Sequence, residues 1–378
     1  MKIAAVATSQ VPANYANSIQ VMKTCSSLAE LTDGLRLWVP GGTTNQDTGW
    51  DELASYYGIG NPFEICRVPT KTVLRRYDLA YSAVGEAERW GADILYTWML
   101  QAGVLALWMG IPVILEMHDL PTGRLGPLLF RYFSRHKGKK RLLVITEALR
   151  SKLESLYKTP PNPGEIQVAP NGTDPAMHAN LPSQEDLRRM LELPPGPIAL
   201  YSGHFYAGRG MDLLFGLAKR LPGVSFLWIG GTFKSTVDWK QRLFESGIHN
   251  VILSGFIENS RLPLYQAAAD VLLMPYEKAI SGSSGGNSAE ICSPMKMFDY
   301  MSAGRAIISS DLPVIHEILN ENNAVFCPPG DIDAWQQAIT TLMSKPELRH
   351  RLASRAKLDA EGYTWKGRAE KALQNFIT

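Results

Sequence analysis

Cysteine is scarce: Cys25, Cys66, Cys292 and Cys327 are the four in 378 residues, and they lie far apart with no CxxC pair. Neither a zinc site nor a dithiol redox motif is indicated, and the four read as reduced, mostly buried thiols. An excess of one charge is also missing, since 38 Lys and Arg against 36 Asp and Glu leave a formal +2. So even a balance gives no field that argues for nucleic acid as a partner, although a local patch can still attract phosphate or anionic lipid. Long apolar runs are absent too. The longest, Val104 to Met117, is broken by Gly110 and Pro112, falls short of the ~20 residues that span a bilayer, and reads as helix end, turn and buried strand. Met1 to Thr8 alternate into a strand and show no charged leader followed by a long apolar stretch, so the expected location is the cytoplasm.

What is present is ordinary globular material, 45% hydrophobic and 20% charged, at a length that divides into about two domains of roughly 150 residues. Short apolar runs at Ile3–Ala7, Ile94–Thr97, Val113–Glu116 and Leu142–Ile145 alternate with segments of helical period. They predict buried parallel strands covered by helices. The pattern pauses at Pro160, Pro161 and Pro163, passes a short strand at Ile166–Ala169, and enters a polar linker from Asn171 to Ser183. A second series follows at Ile198–Ser202, Ser225–Ile229, Val251–Ser254, Val271–Met274 and Ala306–Ser309. The expected class is therefore α/β, with two facing Rossmann-like domains around a central cleft. Residues 1–175 form the first, residues 176–362 the second, and a final helix in 363–378 packs back on the first. Ligands of such domains bind at strand ends and adjoining helix N-termini.

Three segments carry chemistry. In YSGHFYAGRGMD, Tyr201 to Asp212, a strand ends in glycines and runs into a helix. There Gly203, Gly208 and Gly210 let amides approach an anion, and Arg209 adds a fork of donors for phosphate oxygens. As a lone motif it is equally a strand-to-helix turn with a solvated arginine. In SPMKMFDYMSAG, Ser293 to Gly304, the spacing predicts a helix with Ser293 as N-cap, Pro294 at the first helical position and Gly304 as the stop. Lys296 sits in its first turn, where the helix dipole disfavours a cation unless an anion binds nearby. The preceding SGSSGGNS, Ser281 to Ser288, reads as a lid or as a plain surface loop. In EMHDLP, Glu116 to Pro121, His118 and Asp119 follow a buried strand, where a histidine can bond a sugar hydroxyl or a leaving phosphate.

Together these pieces resemble the family-four retaining glycosyltransferases of the GT-B type over nearly the whole chain. His118 matches the family's cleft histidine, and Asn171 and Gly172 its interdomain Asn-Gly. Arg209 falls where the family has a phosphate-binding lysine, and Asp299 matches the second acid of its paired-acid motif, which binds the donor ribose. Two positions depart: the family's phosphate-binding arginine is His204 here, and its first acid is Ile291, with Glu290 adjacent and able to stand in. By resemblance Phe256, Ile257 and the Gly230–Thr232 turn lie beside the base. Ser293 and Pro294 would join Gly203 and Lys296 at the donor, while Asn14 and Tyr15 of the Gln10–Ser18 loop lie with Asp119 on the acceptor side. The resemblance implies a UDP- or GDP-sugar donor, retention without an enzyme nucleophile, and His118, Arg209 and Glu290 in catalysis, with no metal or other cofactor.

From Thr122 to Arg141 a segment mixes Leu128, Leu129, Phe130 and Phe133 with Arg131, Arg135, Lys137, Lys139, Lys140 and Arg141. It reads either as a helix lying on anionic lipid or as a surface helix packed on its own domain. The former fits a lipid-linked or glycan acceptor. Two other functions share the fold: a nucleotide-sugar epimerase, and a non-catalytic nucleotide-binding relative favoured by Ile291 and His204.

Overall fold

The structure, a computed structural model, describes residues 1–41, 48–71, 74, 76–157, 162–280 and 289–376. Two compact units emerge, one of Met1–Asn171 with Trp365–Thr378 and one of Gly172–Thr364. The chain thus changes unit four residues before the expected 175/176 boundary.

The first unit holds seven parallel strands: β1 (Lys2–Val6), β2 (Gly34–Pro40), β3 (Glu64–Val68), β4 (Ile94–Thr97), β5 (Val113–Met117), β6 (Lys140–Val144) and β7 (Ile166–Val168), in the order β3-β2-β1-β4-β5-β6-β7. β4 and β5 are buried along their whole length, as strands covered on both faces by crossover helices must be. The sequence reading passed over β2 and β3. Arg36 interrupts the apolar run of β2 and is answered across the ladder by Glu64 of β3 at 2.6 Å, while β3 is a half-buried edge strand.

The second unit carries β8 (Ile198–Ser202), β9 (Ser225–Ile229), β10 (Val251–Gly255), β11 (Val271–Met274), β12 (Ala306–Ser310) and β13 (Val325–Cys327), in the order β10-β9-β8-β11-β12-β13. β13, three residues at the sheet edge, also escaped the sequence reading. Trp228, Phe226 and Trp335 fill its core with no exposure, each contributing about 2–3 kcal/mol relative to exposure.

In both sheets the strand order reverses beside the first strand, between β1 and β4 and between β8 and β11. Loops leaving the carboxyl ends of these strands diverge there and leave a crevice for a ligand. The helix Trp365–Leu373 belongs to the first unit, with Ala369 and Ala372 buried in its core beside Ile3 and Val21.

Candidate donor site and the His118 cluster

β8 delivers the chain to its carboxyl end with Ser202 fixed, its amide donating to the Tyr300 hydroxyl at 2.8 Å. Gly203 then turns at φ 146°, where a side chain would put Cβ 2.8 Å from Lys296 Nζ. Gly210 closes the loop at φ 71°; a Cβ there would lie 1.9 Å from the Pro275 carbonyl oxygen. Only glycine fits such a conformation at such an approach. The helix Met211–Arg220 starts immediately after, with Gly210 as a cap that has no side chain to offer and whose amide donates to Glu277 Oε1 at 3.3 Å.

Arg209 and Lys296 meet around three tyrosines. The guanidinium lies 5.0 Å from the Tyr206 ring and 5.1 Å from the Tyr276 ring, and its Nη2 donates to the Tyr206 hydroxyl at 2.9 Å. Lys296 Nζ lies 3.9 Å from the Tyr201 ring and 5.4 Å from the Tyr276 ring. Two cations therefore share one ring. Aromatic faces attract cations, but they carry no net charge to neutralise the pair. Arg209 Nε is buried without a hydrogen-bond partner among the described residues, and neither cation has an ion pair with a described carboxylate. Burial first, and Arg209 second, hold the Lys296 ammonium well below the ordinary lysine range.

The helix carrying Lys296 runs Met295–Ser302 with Pro294 as its cap, one residue later than expected. Ser293 is buried and is not the N-cap. A proline at the cap has no side-chain acceptor for the first amides, so Pro294 gives them no cap hydrogen bond. Asp299, one turn on, accepts from the Thr173 hydroxyl at 3.0 Å. His204 stacks on Tyr206 at 5.4 Å, and its carbonyl accepts from the Tyr201 hydroxyl. The position of the family's arginine thus extends the aromatic wall, while Lys296 brings charge to Gly203 from a different element.

The other expected donor residues have simpler places. Phe256 and Ile257 follow β10, with Phe256 38% exposed. Thr232 caps the helix Phe233–Glu245 through the Ser235 amide. Ile291 is buried, whereas Glu290 is exposed on the turn before the Lys296 helix. The SGSSGGNS segment lies outside the described residues.

In the first unit, Tyr15 caps the helix Ala16–Ala29 and is exposed; Asn14 before it is half-buried. The Asp119 carboxylate accepts from the Leu120 amide at 2.8 Å. His118, at the end of β5, bonds by Nε2 to Glu116 Oε1 at 2.5 Å. Around Glu116 stand Gln20, Tyr96 and Arg368, none singled out from sequence. One signal was there: a glutamate inside the apolar VILEM strand has to be answered by buried donors.

The Thr122–Arg141 segment is not one helix. Gly126–Arg135 is helical, with Phe130 and Phe133 in the core and Leu125, Leu128 and Tyr132 exposed beside Arg124 and Arg131. Lys140 and Arg141 belong to β6. Lys140 is buried against Glu165 at 2.8 Å, and Arg141 donates to the Ala372 carbonyl at 2.6 Å.

Two α/β units with these strand orders are a fold that many functions share, and comparison with known proteins names the class. A model described as Glycosyltransferase Family 4 matches residues 24–177, and one described as Glycosyl transferases group 1 matches residues 196–345. The chain belongs to the family-four glycosyltransferases. The sulfoquinovosyl transferase of Arabidopsis thaliana is 21% identical over 309 residues, 76% of this chain and 57% of its own length. The phosphatidyl-myo-inositol mannosyltransferase of Mycolicibacterium smegmatis is 24% identical over 67% of this chain and 62% of its own. The chain thus spans less than two thirds of the length of these two relatives. Among solved structures, Anabaena HepE in complex with UDP-glucose superposes with a TM-score of 0.75 at 14% identity, covering 99% of this chain and 98% of that one. WaaG, a glycosyltransferase of lipopolysaccharide biosynthesis, gives 0.67 at 16% identity and 98% of each chain. The fold is GT-B.

Proposed function

We propose that this protein moves a sugar, with retention at the anomeric carbon, from a UDP- or GDP-sugar to a glycan, lipid-linked or small-molecule acceptor. The observation that carries the reading is the Arg209–Lys296 pair. Two like charges that flank the Tyr276 ring without an ion pair to a described carboxylate raise each other's cost, although Glu277 accepts from the Gly210 amide nearby at 3.3 Å, and a diphosphate placed between them lowers it. A relative solved with UDP and with UDP-glucose supports a UDP-sugar.

In this reading the diphosphate sits beside the Gly203–Gly210 loop and at the first turn of Met211–Arg220, gripped by Arg209 and Lys296 with Ser293 and Pro294 alongside. Asp299 takes the ribose and Phe256 and Ile257 flank the base. As the bond from the anomeric carbon to the phosphate oxygen breaks, both cations meet the charge that develops on the leaving group. The acceptor hydroxyl attacks from the same face, its oxygen bonds the anomeric carbon, and its proton passes to the departing phosphate oxygen. His118 bonds the sugar or the leaving group, and Glu290 stands in for the first acid. Asn14, Tyr15 and Asp119 face the acceptor. With two protein cations in that role, turnover is expected to survive a chelator.

A lipid-linked acceptor is favoured by one further feature. Leu125, Leu128 and Tyr132 are exposed beside Arg124 and Arg131, a surface suited to anionic headgroups. Relatives whose names include phosphatidyl-myo-inositol and galactosylglucosyldiacylglycerol agree with it. Co-sedimentation with anionic but not neutral vesicles at low salt is expected, and its absence removes the lipid part.

Thermal-shift screening against UDP, GDP, ADP and their common sugars tests the donor site, since a ligand at 100 times its Kd adds roughly 2.7 kcal/mol. A selective rise in Tm that Arg209→Ala cuts by about half or more is expected. No rise with any of them overturns the reading.

A further inference from the structure

Glu116 interrupts the otherwise apolar β5, and its side chain is fully buried. Its Oε1 accepts from the Gln20 amide at 2.6 Å and from His118 Nε2 at 2.5 Å, and pairs with the Arg368 guanidinium at 2.6 Å. The Tyr96 hydroxyl donates to Oε2. Arg368 arrives from the helix Trp365–Leu373, held by the Pro170 carbonyl at 2.9 Å and by the Tyr96 hydroxyl at 3.4 Å. Cys25, buried on the helix Ala16–Ala29, is the other titratable group among the described residues that feels the carboxylate's charge.

We infer that Glu116 is a positioning residue for His118: it holds the imidazole through Nε2 and leaves Nδ1 as the nitrogen open to a ligand, while Arg368 supplies the carboxylate's countercharge. The inference rests on the donor-site reading above, in which His118 takes part. A carboxylate is acceptor-only, so Nε2 must carry the proton in the bond between them. An imidazole's tautomer is set by the hydrogen bond at its other nitrogen. Stability alone does not account for the cluster, because a buried ion pair is often no more stabilising than apolar residues of the same volume. Nor does the Glu116–Arg368 pair need a histidine. Yet His118 is bonded to it and is the member whose side chain keeps 31% of its surface exposed.

Protonation follows the geometry. Burial would raise the Glu116 carboxyl, but Arg368 and His118 outweigh it and hold it well below the usual carboxylate range. Burial and the adjacent carboxylate push the Tyr96 phenol and the Cys25 thiol well above theirs. Near neutral pH the cluster contains one anion, Glu116, and its neighbours only donate to it or stay neutral.

The test is NMR of 15N-histidine protein, with the His118 signal assigned by its loss in His118→Ala. Neutral wild-type His118 is expected to carry its proton on Nε2 with Nδ1 bare. Glutamine can present either its oxygen or its amide, so Glu116→Gln should lose the fixed tautomer. Release of nucleoside diphosphate from UDP-glucose, or from GDP-mannose where the thermal screen selects it, should fall about tenfold or more in kcat while the donor KM stays within about twofold. Arg368→Lys, which keeps the charge, should preserve the tautomer and guards against a folding artefact. A wild-type imidazole protonated on Nδ1 overturns the inference, as does Glu116→Gln at wild-type kcat beside an inactive His118→Ala. Donor-stabilised protein in which His118→Ala keeps full kcat overturns it by a different route, sparing the diphosphate site but removing His118 from it.

Discussion

Glu116 in the first unit and the Arg209–Lys296 pair in the second are charges drawn out of water, and they differ in what answers them. Glu116 has an arginine, a histidine, a glutamine and a tyrosine around two oxygens. Arg209 and Lys296 have tyrosine rings and each other. A buried charge whose lone pairs are filled is finished: taking any partner away leaves the cost of its desolvation exposed. A pair of like charges resting on aromatic faces is unfinished, and its cost falls when an anion arrives. On the readings proposed above, the first arrangement fixes a side chain and the second receives a ligand.

The comparison breaks most visibly at Arg368. Arg368→Met leaves the Glu116 carboxylate buried without its countercharge, and the expected loss of stability is about 3–5 kcal/mol, read from chemical denaturation. The pH dependence carries a sign. Glu116 has a depressed carboxyl, so its contribution is fully present above the unfolded pKa and is lost as pH falls through the folded one. The wild-type advantage over Arg368→Met should therefore shrink on the acid side. An Arg368→Met protein as stable as wild type would mean that the carboxylate is not charged in the fold.

In the second unit the same kind of deletion should act on binding and spare stability. Arg209→Ala is expected to weaken nucleoside diphosphate binding about ten- to a hundredfold, measured by calorimetry, with little change in the Tm of the free protein. Lys296→Met goes further: it removes a cation whose pKa burial and Arg209 hold down. A lysine depressed in the fold costs stability below its folded pKa, and the cost fades as pH rises through that value toward the unfolded one. The free variant should melt higher than wild type, most clearly at lower pH, while losing its diphosphate response. Where the titration is run near or above that folded pKa, wild-type binding should take up protons, visible as a binding enthalpy that changes with the ionisation enthalpy of the buffer. A Lys296→Met protein that melts lower makes the lysine a structural group.

Much of this contrast was legible in the chain. Buried parallel strands announce themselves as short apolar runs, and YSGHFYAGRGMD and SPMKMFDYMSAG exposed Arg209, Lys296 and Asp299 because the glycines and caps around them are local signals. What surrounds those residues was not legible. Tyr276 becomes the shared ring because it follows β11, adjacent to β8 in the sheet and far along the chain. Gln20 and Arg368 reach Glu116 from opposite ends of the sequence. A one-dimensional pattern marks which positions are buried or turned, whereas the partners of a buried charge are set by strand order. The helix start missed by one residue because Ser293, the better cap by composition, is buried, and Pro294 takes the position.

The finest distinction concerns how Arg209 is held before any ligand arrives. Its Nη2 donates to the Tyr206 hydroxyl at 2.9 Å, and its guanidinium lies over that same ring at 5.0 Å. Tyr206→Phe keeps the aromatic face and deletes the acceptor. Where the ring is the main restraint, the arginine stays in place and diphosphate affinity changes only about twofold to fivefold, the worth of one ordinary hydrogen bond. Tyr206→Leu removes the ring as well and should cost more, since the cation then loses its remaining attraction on that side. Calorimetric titration with the selected nucleoside diphosphate separates the two. Equal losses for Phe and Leu would assign the restraint to the hydroxyl, and would make Arg209 a cation held by a hydrogen bond in the same sense as the carboxylate of Glu116.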